Sequence, residues 1–367
     1  MNSMRGDTAD YGEVLIGGLP LLDVRAPVEF AKGAFPSAVN LPLLDDQERH
    51  QVGLRYKQKG QDAAIALGHE LVNGAIKAQR LQAWADFARA HPQGYLYCFR
   101  GGLRSHTVRD WLREAGVDYP LVRGGYKAMR TYLLGEGERL FQRHPIWVLG
   151  GMTGTGKTEV IQRVPWGVDL EGFARHRGSS FGWRAQAQPA PIDFEHSLTL
   201  DLLRRERLGQ ARWLLEDESR TIGRCALPLT LHTRMQQAPL LWLEAPFEER
   251  AQRILHQYVS DQCAEHVALL GAQAGFARFA QRLDDSLQQI RRRLGSERCD
   301  RLLIRLHEAL TRQQNQGDTS GHLGWIEPLL REYYDPMYAY QAAQKGSRIV
   351  CRGDAATLLA FLAEAQA

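Results

Sequence analysis

Cysteine is sparse in this chain: five residues in 367, namely Cys98, Cys225, Cys263, Cys299 and Cys351, widely scattered and never in a C-x-x-C pair. An odd, dispersed set argues against a disulfide framework and against a zinc site, and implies reduced thiols. Long apolar runs are lacking too. Nothing approaches the roughly 20 residues that span a bilayer, and Met1 to Glu13 has neither a basic n-region nor an apolar h-region. The expected location is therefore cytoplasmic, with no membrane partner. Internal repeats and low-complexity segments are absent. Charge of one sign is scarce as well: 46 Lys and Arg against 42 Asp and Glu give a net +4 and a pI near 8.8. That balance is compatible with an acidic partner such as RNA without selecting one. What is present, 44% hydrophobic and 24% charged residues, suits a soluble protein of two or three domains.

The pattern alternates strand and helix. Leu19 to Val24 reads as a buried strand, and a second apolar piece, Ala38 to Leu43, follows the Gly33/Pro36 turn. Leu81 to Ala90 has helical spacing, and Gly94-Tyr95-Leu96-Tyr97 reads as a strand that delivers Cys98. Ser105 to Ala115 is expected to be helical with Gly116 as its stop, and Tyr119 to Val122 to be a further strand. Parallel strands need helical crossovers, so this is a small α/β domain. Gly135-Glu136-Gly137-Glu138 reads as its boundary. A second α/β unit opens with Pro145 to Leu149, and Leu240 to Leu243 is a later strand of it. The domains expected are 1–137 and 138–367, with a helical region at about 248–340.

Two loops are built to hold anions on backbone N–H groups. The first is Cys98-Phe99-Arg100-Gly101-Gly102-Leu103-Arg104-Ser105. An ordinary thiol with a pKa of about 8.5 is only a few per cent thiolate near neutrality. A loop curling its N–H groups toward the sulfur, with the positive end of the following helix aimed at it, would favour the anion. Gly101 and Gly102 permit the curl, while Arg100 and Arg104 add positive charge for an oxyanion. The other four cysteines lack such a setting and read as structural.

The second loop, Gly151-Met152-Thr153-Gly154-Thr155-Gly156-Lys157-Thr158, is a complete P-loop. Its N–H groups wrap phosphate oxygens, Lys157 supplies a cation and Thr158 is placed to hold Mg²⁺. The pattern names a phosphate, not a nucleotide, so a role for ATP stays open. Partners for the diphosphate or metal are sought among Asp169, Glu171, Arg175, Arg177 and Arg220, and among Glu216, Asp217 and Glu218, which follow an apolar run as a Walker B acid does.

The N-terminal part resembles the rhodanese family. The matching residues are Leu22-Asp23-Val24-Arg25-Ala26-Pro27-Val28-Glu29-Phe30, then Gly33 to Pro42, then the Cys98 loop. That resemblance implies a rhodanese-like α/β fold and a cysteine that carries a persulfide or a related intermediate. Cys98 to Arg104 spans C-x5-R, one residue longer than many sulfurtransferase loops and similar to dual-specificity phosphatases. A cysteine phosphatase or sulfurtransferase fused to a P-loop kinase is thus the alternative.

Nearly the whole chain resembles the tRNA 2-selenouridine synthase family. The phrases that carry this include Tyr56-Lys57-Gln58-Lys59-Gly60, Ala66-Leu67-Gly68-His69, Gly124-Gly125-Tyr126-Lys127, Val168 to Gly172, Ala174 to Gly182, Leu215 to Arg220, Arg291 to Gly295 and Glu332 to Tyr338. The resemblance implies a rhodanese-like domain followed by a P-loop NTPase-like α/β domain with a helical C-terminal extension. It implies a transferase acting on the anticodon loop of tRNAs for Lys, Glu and Gln. Wobble 2-thiouridine is S-geranylated with geranyl diphosphate and then selenated with selenophosphate, with Cys98 bearing the selenium. Gly151, Gly154, Gly156, Lys157 and Thr158 would bind a phosphorylated ligand, and a selenophosphate-supplying enzyme becomes a candidate partner. Arg291 to Arg293, Lys57 and Lys59 are candidate RNA contacts, and Trp325, Tyr333, Tyr334 and Tyr338 candidate stacking or geranyl-pocket residues.

Overall fold

The computed structural model describes residues 5–365. It divides into two compact units. One comprises the chain up to Leu140 together with Ala190–Leu208, and the other Phe141–Pro189 together with the chain from Gly209.

The first unit is organised on a parallel sheet of β1 (Leu21–Asp23), β2 (Ala38–Asn40) and β3 (Tyr95–Tyr97) in the order β2-β1-β3. Leu21, Leu22, Leu96 and Tyr97 are fully buried, so the central strands read as apolar runs with no polar face. The expected strand over Tyr119 to Val122 reduces to two isolated bridges, Leu96 with Leu121 and Thr8 with Val122. Helices Asp46–Leu71, Gly74–Ala90 and Leu103–Glu114 cover the sheet through Trp84, Phe87, Val108 and Leu112.

The expected boundary at Gly135-Glu136-Gly137-Glu138 lies inside one continuous helix, Gly125–Arg143. Met129, Leu133, Leu140 and Phe141 keep a helical apolar stripe buried through the glycines. Arg139 ties the turn down by pairing with Glu136 at 2.7 Å and Glu206 at 2.6 Å. Burial of that stripe outweighs the cost of about 1 kcal/mol that each helical glycine carries.

Helix Pro191–Arg207, placed by sequence in the 138–367 domain, packs with the first unit. Asp193 accepts from the Ala34 N–H at 2.7 Å. His196 bonds the Ala34 carbonyl through Nδ1 at 2.8 Å and Arg130 through Nε2 at 3.0 Å, and it stacks on Phe35 with ring centroids 4.8 Å apart. Asp193 and His196 sit one turn apart on the helix, which explains why both meet a single residue.

The second unit contains a five-stranded parallel sheet: β4 (Ile146–Gly151), β5 (Gly167–Val168), β6 (Trp213–Glu216), β9 (Leu240–Leu243) and β10 (Ile349–Gly353), in the order β10-β9-β4-β6-β5. A two-stranded hairpin, β7 (Thr221–Ile222) with β8 (Cys225–Ala226), lies apart from it. From β4 the chain goes to the edge strand β5, returns to β6 between the two, and later fills the other side of β4 with β9 and β10. The order therefore reverses at β4, and ligands of such sheets bind beyond the strand ends at that point. Helices from Phe247 to Gln344 form a separate apolar cluster around Phe279, Leu283, Leu306 and Trp325. Trp325 and Tyr334 are buried in this cluster and Tyr333 and Tyr338 pack against it. No helix among the described residues is long and apolar enough to cross a membrane.

Candidate functional site

The thiol site follows directly from β3. Cys98 is 3% exposed at the strand's end, and the chain turns through Gly101, whose φ is +64°, into helix Leu103–Glu114. The Sγ lies 3.3 Å from Ser105 Oγ and 3.9 Å from the Gly102 carbonyl, and the Ser105 hydroxyl donates to that carbonyl at 2.9 Å. In this arrangement the thiol donates and loop N–H groups do not reach the sulfur, which differs from the expected convergence. The hydroxyl is the device that holds Sγ in one place.

Support for the loop comes from a glycine pair whose part was not legible in sequence. The Tyr126 N–H donates to the Cys98 carbonyl and the Lys127 N–H to the Phe99 carbonyl, each at 2.9 Å. These are otherwise unpaired donors at the start of helix Gly125–Arg143, so the helix end and the loop satisfy one another. A Cβ on Gly125 would lie 2.3 Å from the Cys98 carbonyl oxygen and 2.5 Å from the Gly101 nitrogen, and φ there is +58°. The signal available in sequence was only the doublet Gly124-Gly125 two residues after Val122.

Of the loop cations, Arg100 is exposed, with its guanidinium 6.0 Å from the Phe99 ring centre. Arg104 is engaged: it holds Glu29 in a two-pronged pair at 2.6 and 3.2 Å. Burial pushes the Glu29 carboxyl up, but Arg104, then the Ala26 N–H and then Arg49 outweigh it, so its pKa lies below the ordinary value. Glu29 thus fixes Arg104 beside the loop. Behind it, buried Arg25 forks onto Asp23 and lies over the Tyr126 ring at 3.9 Å. Part of the Leu22 to Phe30 phrase therefore serves as scaffold.

Cys98, Arg100, Gly102 and Arg104 line a cavity of about 870 Å³. Its other wall is helix Asp46–Leu71, which kinks at Gly60, where φ is +82°.

In the second unit β4 runs into the P-loop. Gly154 and Gly156 have φ of +82° and +88°, and a Cβ on Gly154 would meet the Arg250 carbonyl oxygen at 2.8 Å. Lys157 folds over the loop, with Nζ 3.2 Å from the Gly151 carbonyl oxygen, and helix Lys157–Arg163 follows. Thr158 Oγ1 lies 3.4 Å from Glu216 Oε1. Register explains that pair, since Leu149 of β4 sits beside Glu216 of β6.

Glu216 is fully buried and accepts the Leu170 N–H at 2.8 Å and the Glu171 N–H at 3.2 Å. Burial, reinforced by the charges of Glu171, Asp169 and Glu218, drives its carboxyl well above the usual range. Glu218 is pushed up to about 8 by burial and by Glu171, against the pull of Lys157. Burial raises Glu171 as well, and the two side chains share a hydrogen bond. One proton between these carboxyls removes most of the repulsion of a buried like-charge pair.

The remaining candidates are placed differently. Asp217 is bound to Lys345 at 2.6 Å, and Asp169 caps helix Leu170–Ala174 by accepting the Gly172 N–H at 2.6 Å. Arg175 is the left-handed C-cap of that helix, with φ +49°. Arg177 lies over the Tyr258 ring at 5.2 Å and donates to Gln257 at 3.3 Å. Glu218, rather than Asp217, therefore joins Glu171 and Glu216 near Lys157. Among the described residues no cluster of three or more metal-ligating side chains is found. The Thr158 hydroxyl beside the Glu216 carboxyl nonetheless fits the way Mg²⁺ is held, through few protein oxygens and substrate phosphates.

Next to the P-loop, Thr153 opens on a narrow slot of about 20 Å³ lined by Phe181, Ile254, Tyr258, Trp325 and Tyr334. The Thr153 hydroxyl is buried without a hydrogen-bond partner.

Fold and site together define a two-part α/β enzyme class: a rhodanese-like thiol domain and a P-loop domain with a helical C-terminal extension. A family model described as the tRNA 2-selenouridine synthase AAA domain matches residues 144–367. A relative named tRNA 2-selenouridine synthase from Cupriavidus pinatubonensis is 58% identical over 99% of this chain and 100% of its own length. Another of that name from Azotobacter vinelandii is 58% identical over 99% of both chains, and one from Pseudomonas fluorescens 57% identical over 97% and 98%. The chain belongs to the tRNA 2-selenouridine synthase family.

Proposed function

We propose that this protein is the transferase that converts wobble 2-thiouridine of tRNA to 2-selenouridine in two steps, one at each loop. The observation that carries the reading is the presence of both complete loops in a chain that aligns over nearly its full length with relatives named for that synthase. The substrates are geranyl diphosphate, selenophosphate and the anticodon loops of tRNAs for Lys, Glu and Gln. A selenophosphate-supplying enzyme is the upstream partner.

In the first step the thiocarbonyl sulfur attacks the carbon bearing the diphosphate. The carbon–oxygen bond breaks and diphosphate departs. Gly151, Gly154 and Gly156 shape the cradle for the diphosphate, and Lys157 supplies a fixed positive charge where negative charge grows. Thr158 and Glu216 would hold Mg²⁺, which supplies further neutralisation of the leaving diphosphate.

In the second step the selenium of selenophosphate, held at the Cys98 loop, attacks carbon 2 of the base, the geranylated sulfur leaves as a thiolate, and water then cleaves the selenium–phosphorus bond to release phosphate. Ser105 positions the sulfur, and the exposed Arg100 binds the phosphate portion of the selenium donor while Glu29 holds Arg104 beside the loop. Alkylation matters because a thiolate leaves far more readily than a thiocarbonyl sulfur. The phosphatase–kinase alternative drops out with the family assignment.

Mass spectrometry of tRNA nucleosides tests the scheme. Cells carrying Cys98→Ser should accumulate S-geranyl-2-thiouridine, and cells carrying Lys157→Ala should retain 2-thiouridine. Unaltered 2-selenouridine in either strain would overturn the assigned roles.

A further inference from the structure

The cavity at Cys98 is larger and oilier than a small oxyanion requires. Its volume of about 870 Å³ lies in the upper part of the range for organic-ligand sites, about 300–1,000 Å³. Leu43, Leu44, Val52, Ile65 and Trp111 form the inner wall. Four large apolar side chains stand exposed around the same cavity: Tyr56 at 57%, Leu103 at 53%, Leu54 at 48% and Phe99 at 36%. Leaving so many in water at one place is unfavourable unless a ligand covers them.

The stretch of helix at the cavity mouth is cationic, and the carboxylate in the lining, Glu29, is paired with Arg49 and Arg104. From Arg49 to Gln61 the helix carries Arg49, Arg55, Lys57 and Lys59 and no carboxylate. Arg49 is taken up by Glu29 at 3.1 Å, whereas Lys57 and Lys59 are exposed. No residue from Arg49 to Ala63 is fully buried, so packing alone does not account for this stretch of helix. A cationic outer face, an apolar inner face and an exposed tyrosine at the mouth together match an RNA loop whose unstacked base carries an apolar group.

We infer that the cavity beside Cys98 is the docking site of the S-alkylated base, with the alkyl chain against Leu43, Leu44, Val52 and Ile65 and the RNA backbone along Lys57 and Lys59. This rests on the two-step reading above and adds to it the element that selects the alkylated intermediate over plain 2-thiouridine. The chain that makes sulfur a leaving group is also the handle by which the thiol domain recognises its substrate. Tyr56 stacks on the base as it enters.

The test uses the full chain without selenium donor, so that nothing turns over, and measures Kd by fluorescence anisotropy. The probes are anticodon stem-loop RNAs whose 2-thiouridine carries S-methyl, S-dimethylallyl or S-geranyl. Each fully buried methylene contributes about fourfold in affinity, so three buried carbons separate two probes by about 60-fold. Ile65→Trp, which fills the cavity, should flatten the series while S-methyl binding reports that the fold is intact. If that variant loses S-methyl binding as well, Ile65→Ala provides the second measurement: its geranyl-to-methyl ratio should fall several-fold. Lys57→Glu with Lys59→Glu should weaken every probe by a similar factor. Equal Kd values across the series in the unsubstituted chain, or an undiminished series in the Ile65 variants, would overturn the inference. The two-step reading stands or falls separately, on whether the unsubstituted enzyme makes S-geranyl-2-thiouridine and 2-selenouridine at all.

Discussion

Replacing Gly125 with Ala isolates what the backbone beneath Cys98 contributes. An added Cβ meets the Cys98 carbonyl oxygen at 2.3 Å and the Gly101 nitrogen at 2.5 Å, both backbone atoms that cannot swing away. The residue must also hold φ at +58°, which costs an L side chain about 1 kcal/mol. Overpacking against a fixed wall adds about 1–3 kcal/mol. The sum, about 2–4 kcal/mol, is small against the whole chain but falls on one loop. The least costly response is a shift of the loop, which breaks the Tyr126 and Lys127 N–H bonds to the Cys98 and Phe99 carbonyls and moves Sγ from Ser105. The assay is twofold: urea unfolding of the full chain, and the rate at which a neutral alkylating agent modifies Cys98 in a variant whose other cysteines are serine. We expect a lower midpoint and a Cys98 rate changed at least several-fold, with selenation lost and geranylation retained. A Gly125→Ala chain with the original midpoint and alkylation rate would refute the account of the loop's support.

The two units should respond to pH with opposite signs. His196 is held near 4 by burial, so the first unit is fully stabilised above about 6.5 and loses about 3 kcal/mol as pH falls through 4. Thermal melts from pH 7 to 4 should show the loss, and His196→Gln should blunt it. Glu218 is raised to about 8, so its contribution is complete below about 4.5 and disappears as pH rises through 8. Glu218→Gln should therefore stabilise the second unit at pH 9 by a few kcal/mol, read as a higher Tm; an unchanged Tm would contradict the shared proton. Glu216→Gln leaves an amide oxygen to accept the Leu170 and Glu171 N–H groups but replaces the carboxylate oxygen beside Thr158 with an NH₂ that cannot bind a cation. It should lower geranylation at least tenfold and weaken Mg²⁺ dependence, measured as the Mg²⁺ concentration giving half-maximal rate.

Much of the site was legible because each loop is contiguous. Strand, glycines and helix start lie within ten residues, and positive φ at Gly101, Gly154 and Gly156 is a local requirement that only glycine meets without strain. Burial read correctly too, since continuous apolar runs such as Trp213 to Leu215 and Leu240 to Leu243 are fully covered parallel strands. Gly135 to Glu138 is loop-like by composition, yet the apolar stripe on either side sustains a helix, within which the two units divide after Leu140. Likewise Arg104, read as an open cation, is occupied by Glu29, 75 residues away in sequence. The aromatic set Trp325, Tyr333, Tyr334 and Tyr338 belongs to the packed helical cluster, yet Trp325 and Tyr334 also wall the slot beside Thr153.

The sequence by itself determined the two anion loops, their order and the strand–loop–helix frame of each, because those depend on neighbouring residues and on what glycine alone can adopt. Tertiary structure decided which acids face Lys157, how Glu29 and Gly125 hold the cysteine loop, and that a kinked basic helix walls an apolar chamber over Cys98. Those relations join residues as far as 75 positions apart, and only packing brings them within the few ångströms at which burial and charge act.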